Sequence, residues 1–254
     1  MRPERRHVAK ASPVILPVVL VGVWWITSSR SSSLYFPPLG KVLRVLQEDW
    51  LSSRIRDDLL PSLACLFGAL LISTAIAVVA GAAIGVSDML YRAMQPILDI
   101  LRSCPGVALV PVSLAVFGIG TASEIAVISF ATIWPMLLNV IDGVRLSTET
   151  YDEVRRNLRM SYVQRIRFVD LPASLPQFMA GLYTSLAIGV VVMIASEYYS
   201  SVRGVGFYIA SAEHTFSIAQ TYAGVIVLGV IGYTLSLALR RLEHVVLRWR
   251  VGVR

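Results

Sequence analysis

This chain is poor in the residues that most often carry chemistry. Among 254 residues it has two cysteines and three histidines, and neither kind is clustered. Cys65 and Cys104 each lie in an apolar stretch, without C-x-x-C spacing and without a histidine close by, so they read as free core thiols rather than a metal site. His7, His214 and His244 stand far apart near the ends of apolar runs, and no ligating or pH-sensing role is assigned to them. A Gly-x-Ser-x-Gly turn and a His-Glu pair are both missing, which leaves no nucleophile with its base and argues against a membrane-embedded enzyme. Missing too is any G-x-x-x-x-G-K-[ST] run, the loop whose backbone amides cradle nucleotide phosphates. No repeat of about 20–50 residues is evident.

Charge is scarce as well. Charged residues make up 15% of the chain and hydrophobic residues 56%, against about 25% and about 45–50% in ordinary soluble domains. Mean hydropathy is +0.67. A net charge of +7 and a pI near 9.7 would raise nucleic-acid binding for a soluble domain. Here the basic residues gather at the termini and in one loop, with no nucleic-acid motif beside them. Anionic lipid surfaces and the cytoplasmic bias of basic residues account for that distribution, so the expected partner is the bilayer and no nucleic acid.

With charged residues as boundaries, six uncharged spans follow: Ala11–Ser29, Leu59–Ser87, Ser103–Ser123, Ile125–Ile141, Leu171–Ser196 and Thr215–Leu239. About 20 residues cover about 30 Å of hydrocarbon, and only Ile125–Ile141 sits at the short limit. The runs lack the period-two alternation of barrel strands, so the expected fold is all-α, a polytopic membrane protein with six transmembrane helices in one domain over residues 1–254. The basic start (Arg2, Arg5, Arg6, Lys10) before an apolar run also resembles a secretory signal peptide. A nearly full-length span without a clear A-x-A site favours an uncleaved first helix.

The N-terminal tail, Arg145–Arg167 and Arg240–Arg254 are rich in arginine, whereas Ser196–His214 carries only Arg203 against Glu197 and Glu213. Six crossings put the three basic regions on one side, which predicts both termini in the cytoplasm. Residues 30–58 then lie outside, with a surface helix after Pro37–Pro38 carrying Val42, Leu43, Leu46 and Trp50 at helical spacing. Pro105, Pro111 and Pro135 interrupt the third and fourth spans, and Gly81 and Gly85 have the small-xxx-small spacing that lets helices approach closely.

The loop after the fourth span, 150–176, reads TYDEVRRNLRMSYVQRIRFVDLPASLP. Thr150 with Glu153 makes a capping-box pattern, Asp152 and Glu153 suit a first helical turn, and Val154, Leu158 and Tyr162 continue one face. Val163, Ile166 and Val169 form a second apolar set. Two short amphipathic helices are expected here, able to pass force from a soluble partner to the membrane helices. A surface-bound amphipathic connection is the alternative reading of the same residues.

This loop resembles the EAA loop of the permease subunits of ATP-binding cassette (ABC) importers. Glu153 matches the acidic position, Leu171–Pro172 the leucine-proline pair, and Ala173–Ser174–Leu175–Pro176 the continuation. The chain departs from the family at Val154 and Arg155, where two alanines are usual, and at Arg159, where a glycine makes the turn. Further segments resemble permeases of the nitrate, sulfonate and taurine type in the same order: Tyr35–Phe36–Pro37–Pro38, Pro96 to Arg102, Phe117–Gly118–Ile119–Gly120 and Ala195–Ser196–Glu197.

The resemblance implies a coupling loop at 150–172 with Asp152, Glu153, Arg155, Arg156, Arg159, Tyr162, Leu171 and Pro172 facing the ATPase. It also implies a cytoplasmic ABC ATPase pair that binds ATP and Mg, with no cofactor in this chain. An extracytoplasmic substrate-binding protein, a second permease copy and a bacterial inner-membrane location complete the picture. The implied cargo is a small anion such as nitrate, a sulfonate or an organic carboxylate. Asp99, Arg102 and Glu197 are the pathway or gating candidates, although all three fall at span borders, where snorkelling or a packed ion pair also accounts for them. An ion-coupled secondary transporter would show intramembrane ionisable residues and repeated halves, and neither stands out.

Overall fold

The computed structural model describes residues 4–250 except 32, 52–53, 159, 162–163 and 165; the side chains of 4–14, 148–156, 166, 200 and 250 lie outside that description. Every regular element among the described residues is helical, as hydrocarbon requires of segments that must satisfy their own backbone groups. In chain order these are α1 (Glu4–Ser28), α2 (Leu39–Trp50), α3 (Leu60–Gly85), α4 (Asp88–Ser103), α5 (Val110–Phe117), α6 (Thr121–Asn157), α7 (Leu171–Ser200), α8 (Val205–His214) and α9 (Ile218–Val246). Wide helical turns at Ile55–Leu59 and Ile166–Asp170 lead directly into α3 and α7.

Four helical stretches are long and apolar enough to span a bilayer: Ile55–Gly85, Thr121–Ser147, Arg167–Tyr199 and Ile218–Val246. The expected single crossing at Ser103–Ser123 is instead the later part of a broken pair, Asp88–Ser103 with Gly106–Phe117, bent by 77°. Pro105 lies at the break, its φ suited to the extended connection, and Pro111 opens α5 where no amide is needed. The short span Ile125–Ile141 becomes Thr121–Ser147 because the acid used as its boundary, Glu124, is 5% exposed and lies inside the helix. Pro135 leaves α6 continuous, and Asn139 donates to the Pro135 carbonyl at 2.8 Å. The described apolar part of α1 is Ile15–Ser28.

The bundle centre is α3 against α6 and α7. Gly81 and Gly85 allow the closest approach, since a Cβ on either would stand 2.8–2.9 Å from Val140 or Val144 of α6. Polar cross-links lie inside this contact: Thr132 donates to the Ser73 hydroxyl at 3.0 Å, and Ser185 donates to the Thr132 carbonyl at 2.9 Å. By contrast α1 is exposed along most of Ile15–Ile26 and meets the body at its end, where the Ser28 hydroxyl accepts the Leu39 amide at 3.1 Å. The surface helix α2 forms as expected, with Val42 and Trp50 buried.

Candidate functional site

The two short helices α2 and α8 meet at one end of the bundle. The first amides of a helix have no partner within it and carry a partial positive charge. Here three side chains from two neighbouring helices accept them. Asp58 Oδ1 takes the Gly204 amide at 3.0 Å, Ser62 Oγ the Val205 amide at 3.0 Å, and Glu197 Oε2 the Gly206 amide at 2.8 Å. Glu197 is 1% exposed, so its side chain rests on the Gly206 amide rather than on water. Gly204 adopts φ 115°, and a Cβ there would lie 2.6 Å from the Glu197 Cδ; only glycine combines that conformation with that contact. The second Asp58 oxygen receives Arg54 at 3.0 Å.

Tyr208 then ties α8 to α2. Its hydroxyl donates to Asp49 Oδ2 at 2.6 Å, Gln220 of α9 donates to the same oxygen at 3.1 Å, and the Trp50 ring meets the tyrosine edge-on at 5.1 Å. Burial first, and the neighbouring Asp49 carboxylate second, push the Tyr208 hydroxyl well above its ordinary pKa. It is therefore a hydrogen-bond donor at every physiological pH.

At the opposite end Arg145 binds Asp88 at 2.8 Å and lies 4.2 Å over the Tyr91 ring, joining α6 to the start of α4. Ser147 donates to Asp170 at 3.0 Å and joins α6 to the turn before α7. Beyond this clasp α6 runs on without a break through Thr150 to Asn157. The capping-box pattern therefore starts no separate helix: nothing between Ile141 and Thr150 interrupts the ladder, and the first expected short helix is the end of α6.

Asp152, Glu153, Arg155 and Arg156 lie on that extension, with their side chains outside the described residues, as are Arg159 and Tyr162 entirely. Leu171, exposed, and Pro172 open α7 across the loop. Asp99 and Arg102 pair with each other at 2.9 Å on α4 and do not meet Glu197, which is buried at the α8 end. Sequence patterns alone do not single out Asp58, Ser62 and Gly204; the one readable signal is the Gly-x-Gly step before an apolar helix.

Among the described residues no group of three or more histidine, cysteine or acidic side chains could hold a metal ion. The bundle is that of a polytopic helical membrane protein, and the polar groups described above cap one helix and clasp others together. The sequence pattern of the binding-protein-dependent transport system inner membrane component matches residues 73–250, and the chain belongs to that family. It is similar to the taurine transport system permease protein TauC of Escherichia coli (strain K12), with 29% identity over 91% of this chain and 86% of the relative. The nitrate import permease protein NrtB of Leptolyngbya laminosa is 29% identical over 86% of this chain and 81% of its own length. A chain of the inward-facing MetNI methionine ABC transporter shares the fold at TM-score 0.66 and 19% identity, covering 76% of this chain and 95% of that one. The protein is thus a permease subunit of an ATP-driven importer, and ATP hydrolysis belongs to a separate subunit.

Proposed function

We propose that this chain crosses the inner membrane six times, with both termini and the loop 150–172 in the cytoplasm, and forms the path for a small anion such as nitrate, a sulfonate or an organic carboxylate. The crossings are α1, α3, the bent pair α4–α5, α6, α7 and α9. A cytoplasmic ATPase pair that binds ATP and Mg docks on the loop, an extracytoplasmic binding protein delivers the anion, and a second copy of the chain completes the two-fold assembly. The anionic cargo follows the taurine and nitrate named for the relatives.

The observation that carries this reading is the unbroken run of α6 past Ser147 to Asn157, about 15 Å of rigid helix beyond the apolar part. It places the acidic and basic residues 152–156 on a lever continuous with a membrane helix and clasped at its base to α4 and α7. Asp152, Glu153, Arg155, Arg156, Arg159 and Tyr162, with Leu171 and Pro172 at the far foot, form the docking surface. Asp99 and Arg102 face the pathway, and Glu197 positions α8.

Glu153→Lys tests the docking surface. The purified complex should lose ATPase association or ATP-driven uptake while the permease still inserts and folds. Full uptake with normal assembly would overturn the assignment.

A further inference from the structure

Helix α4 has three faces. One, with Tyr91, Met94 and the buried Leu98, lies on α3 and α6. A second carries Asp88, Arg92, Gln95, Asp99 and Arg102, spaced by alternating steps of four and three so that they share an arc of about 80°. All five are exposed. The third is apolar and exposed, with Met89, Ile97 and Ile100.

The depth of the polar face decides what it meets. Leu98 packs in one cluster with Ala77, Ile84, Met136 and Val140. That cluster reaches from Ile84, beside the end of α3, to Ala77, about 12 Å inside it, and from Ile141 to Met136, about 16 Å inside Ser147. Past the break, a Cβ on Gly106 would touch Ala131 at 2.5 Å, farther still along the apolar run of α6. Asp99 and Arg102 fall between these markers, near the middle of a slab about 30 Å thick. They are 50% and 53% exposed there. They are therefore not at a span border, and a guanidinium-carboxylate pair at that depth belongs beside water rather than lipid tails.

The charges on the face do not cancel. Asp88 is taken by Arg145 and Asp99 by Arg102, whereas Arg92 has no acidic partner among the described residues. We infer that the polar face of α4 lines the water-filled route from one membrane surface to mid-depth, and that Arg92 is the cation that selects a small oxyanion on it. A guanidinium offers two parallel donors to the oxygens of a carboxylate, sulfonate or nitrate. The inference rests on the importer reading and adds to it the side of α4 that the solute follows.

Thiol labelling in membrane vesicles containing the whole complex tests it, after Cys65 and Cys104 are replaced by serine. A cysteine at Gln95 should react with sulfonatoethyl methanethiosulfonate at least about tenfold faster than one at Ile100, since only the thiolate in water attacks. With Arg92→Gln, the rate ratio of this anionic reagent to the trimethylammonium reagent at position 95 should fall about fivefold. Arg92→Lys, which keeps the charge, should retain the ratio and so separates charge selection from a folding defect. Equal rates at 95 and 100 would overturn the lined face; a ratio unchanged by Arg92→Gln would overturn the role of Arg92. Labelling rates are measurable whether or not ATP-driven uptake occurs, so failure here is distinct from failure of the Glu153→Lys test.

Discussion

Glu197 shows how much of a polar residue's setting is missing from a hydropathy profile. At the border of an uncharged span it reads as a pathway or gating residue; the structure adds that its side chain accepts the Gly206 amide and closes against Gly204. The cap as a whole draws on three separate stretches of chain, Asp58 with Ser62, Glu197, and residues 204–206, and no local pattern announces it. Replacing Glu197 with alanine leaves a buried amide unsatisfied, a cost of about 1–3 kcal/mol. Glu197→Gln keeps an oxygen acceptor in a side chain of the same size and should cost less. Thermal unfolding of the detergent-purified protein should show the order wild type, Gln, Ala; an alanine variant as stable as wild type would remove the capping role.

Tyr208 gives a second residue-scale expectation, with a definite pH sign. Its pKa is raised in the folded protein, so its contribution to stability is complete below the ordinary tyrosine value of about 10 and fades as pH rises through the higher folded value. The α2–α8 contact should therefore be indifferent to pH from about 6 to 9. Tyr208→Phe removes a donor to Asp49 that Gln220 only partly replaces. A loss of about 1 kcal/mol is expected, equal at both ends of that pH range. A loss confined to one end would point to a different titrating group.

At the scale of elements, apolar runs bounded by charge located most of the spans, and failed where charge was not at a boundary. Glu124 is buried within the first turn of α6, with the Cys65 thiol donating to it at 3.2 Å, so counting from it cut the helix short. The polar residues of α4 failed in the opposite way. They broke hydropathy and so hid a helix that packs at bilayer depth, although their alternating spacing of four and three was present in the sequence. The surface helix α2 was legible because proline fixes its start and its apolar residues recur at helical spacing.

The continuity of α6 is likewise an element-scale claim with a direct test. A proline at Thr150 removes a ladder bond and clashes with the preceding turn, which breaks or kinks an interior helix at a cost of about 3 kcal/mol. The lost bond runs from residue 150 to the carbonyl of Leu146, so the kink falls in the turn that carries the Ser147–Asp170 clasp, at the foot of the apolar part of α6 and not within the bundle. We expect Thr150→Pro to retain insertion and some ATPase association while losing most ATP-driven uptake, because the lever no longer transmits motion. Uptake near the wild-type rate would mean that the loop does not act through a rigid helix.

For the whole molecule, contacts at the two ends of the bundle reduce topology to one choice. Asp49 of α2 is bonded to Tyr208 of α8 and Gln220 of α9, so the segments after α1, after α7 and before α9 share one end. Arg145 with Asp88, and Ser147 with Asp170, gather the α3–α4 turn and the feet of α6 and α7 at the other. What remains is which end faces the cytoplasm, and geometry is silent on it while charge is not. The second end carries the arginine-rich segment Arg145–Arg167, and the last turns of α9 return to it with Arg240 and Arg241, followed by Arg248. Basic residues beside spans are retained in the cytoplasm. In a background with Cys65 and Cys104 replaced, a cysteine at Ser161 should react in whole cells only with a membrane-permeant reagent, and one at Ser201 with an impermeant one. The reverse pattern would invert the molecule. Equal reactivity of both sites toward the impermeant reagent would contradict the separation of the two ends, because α7, about 45 Å long, joins them.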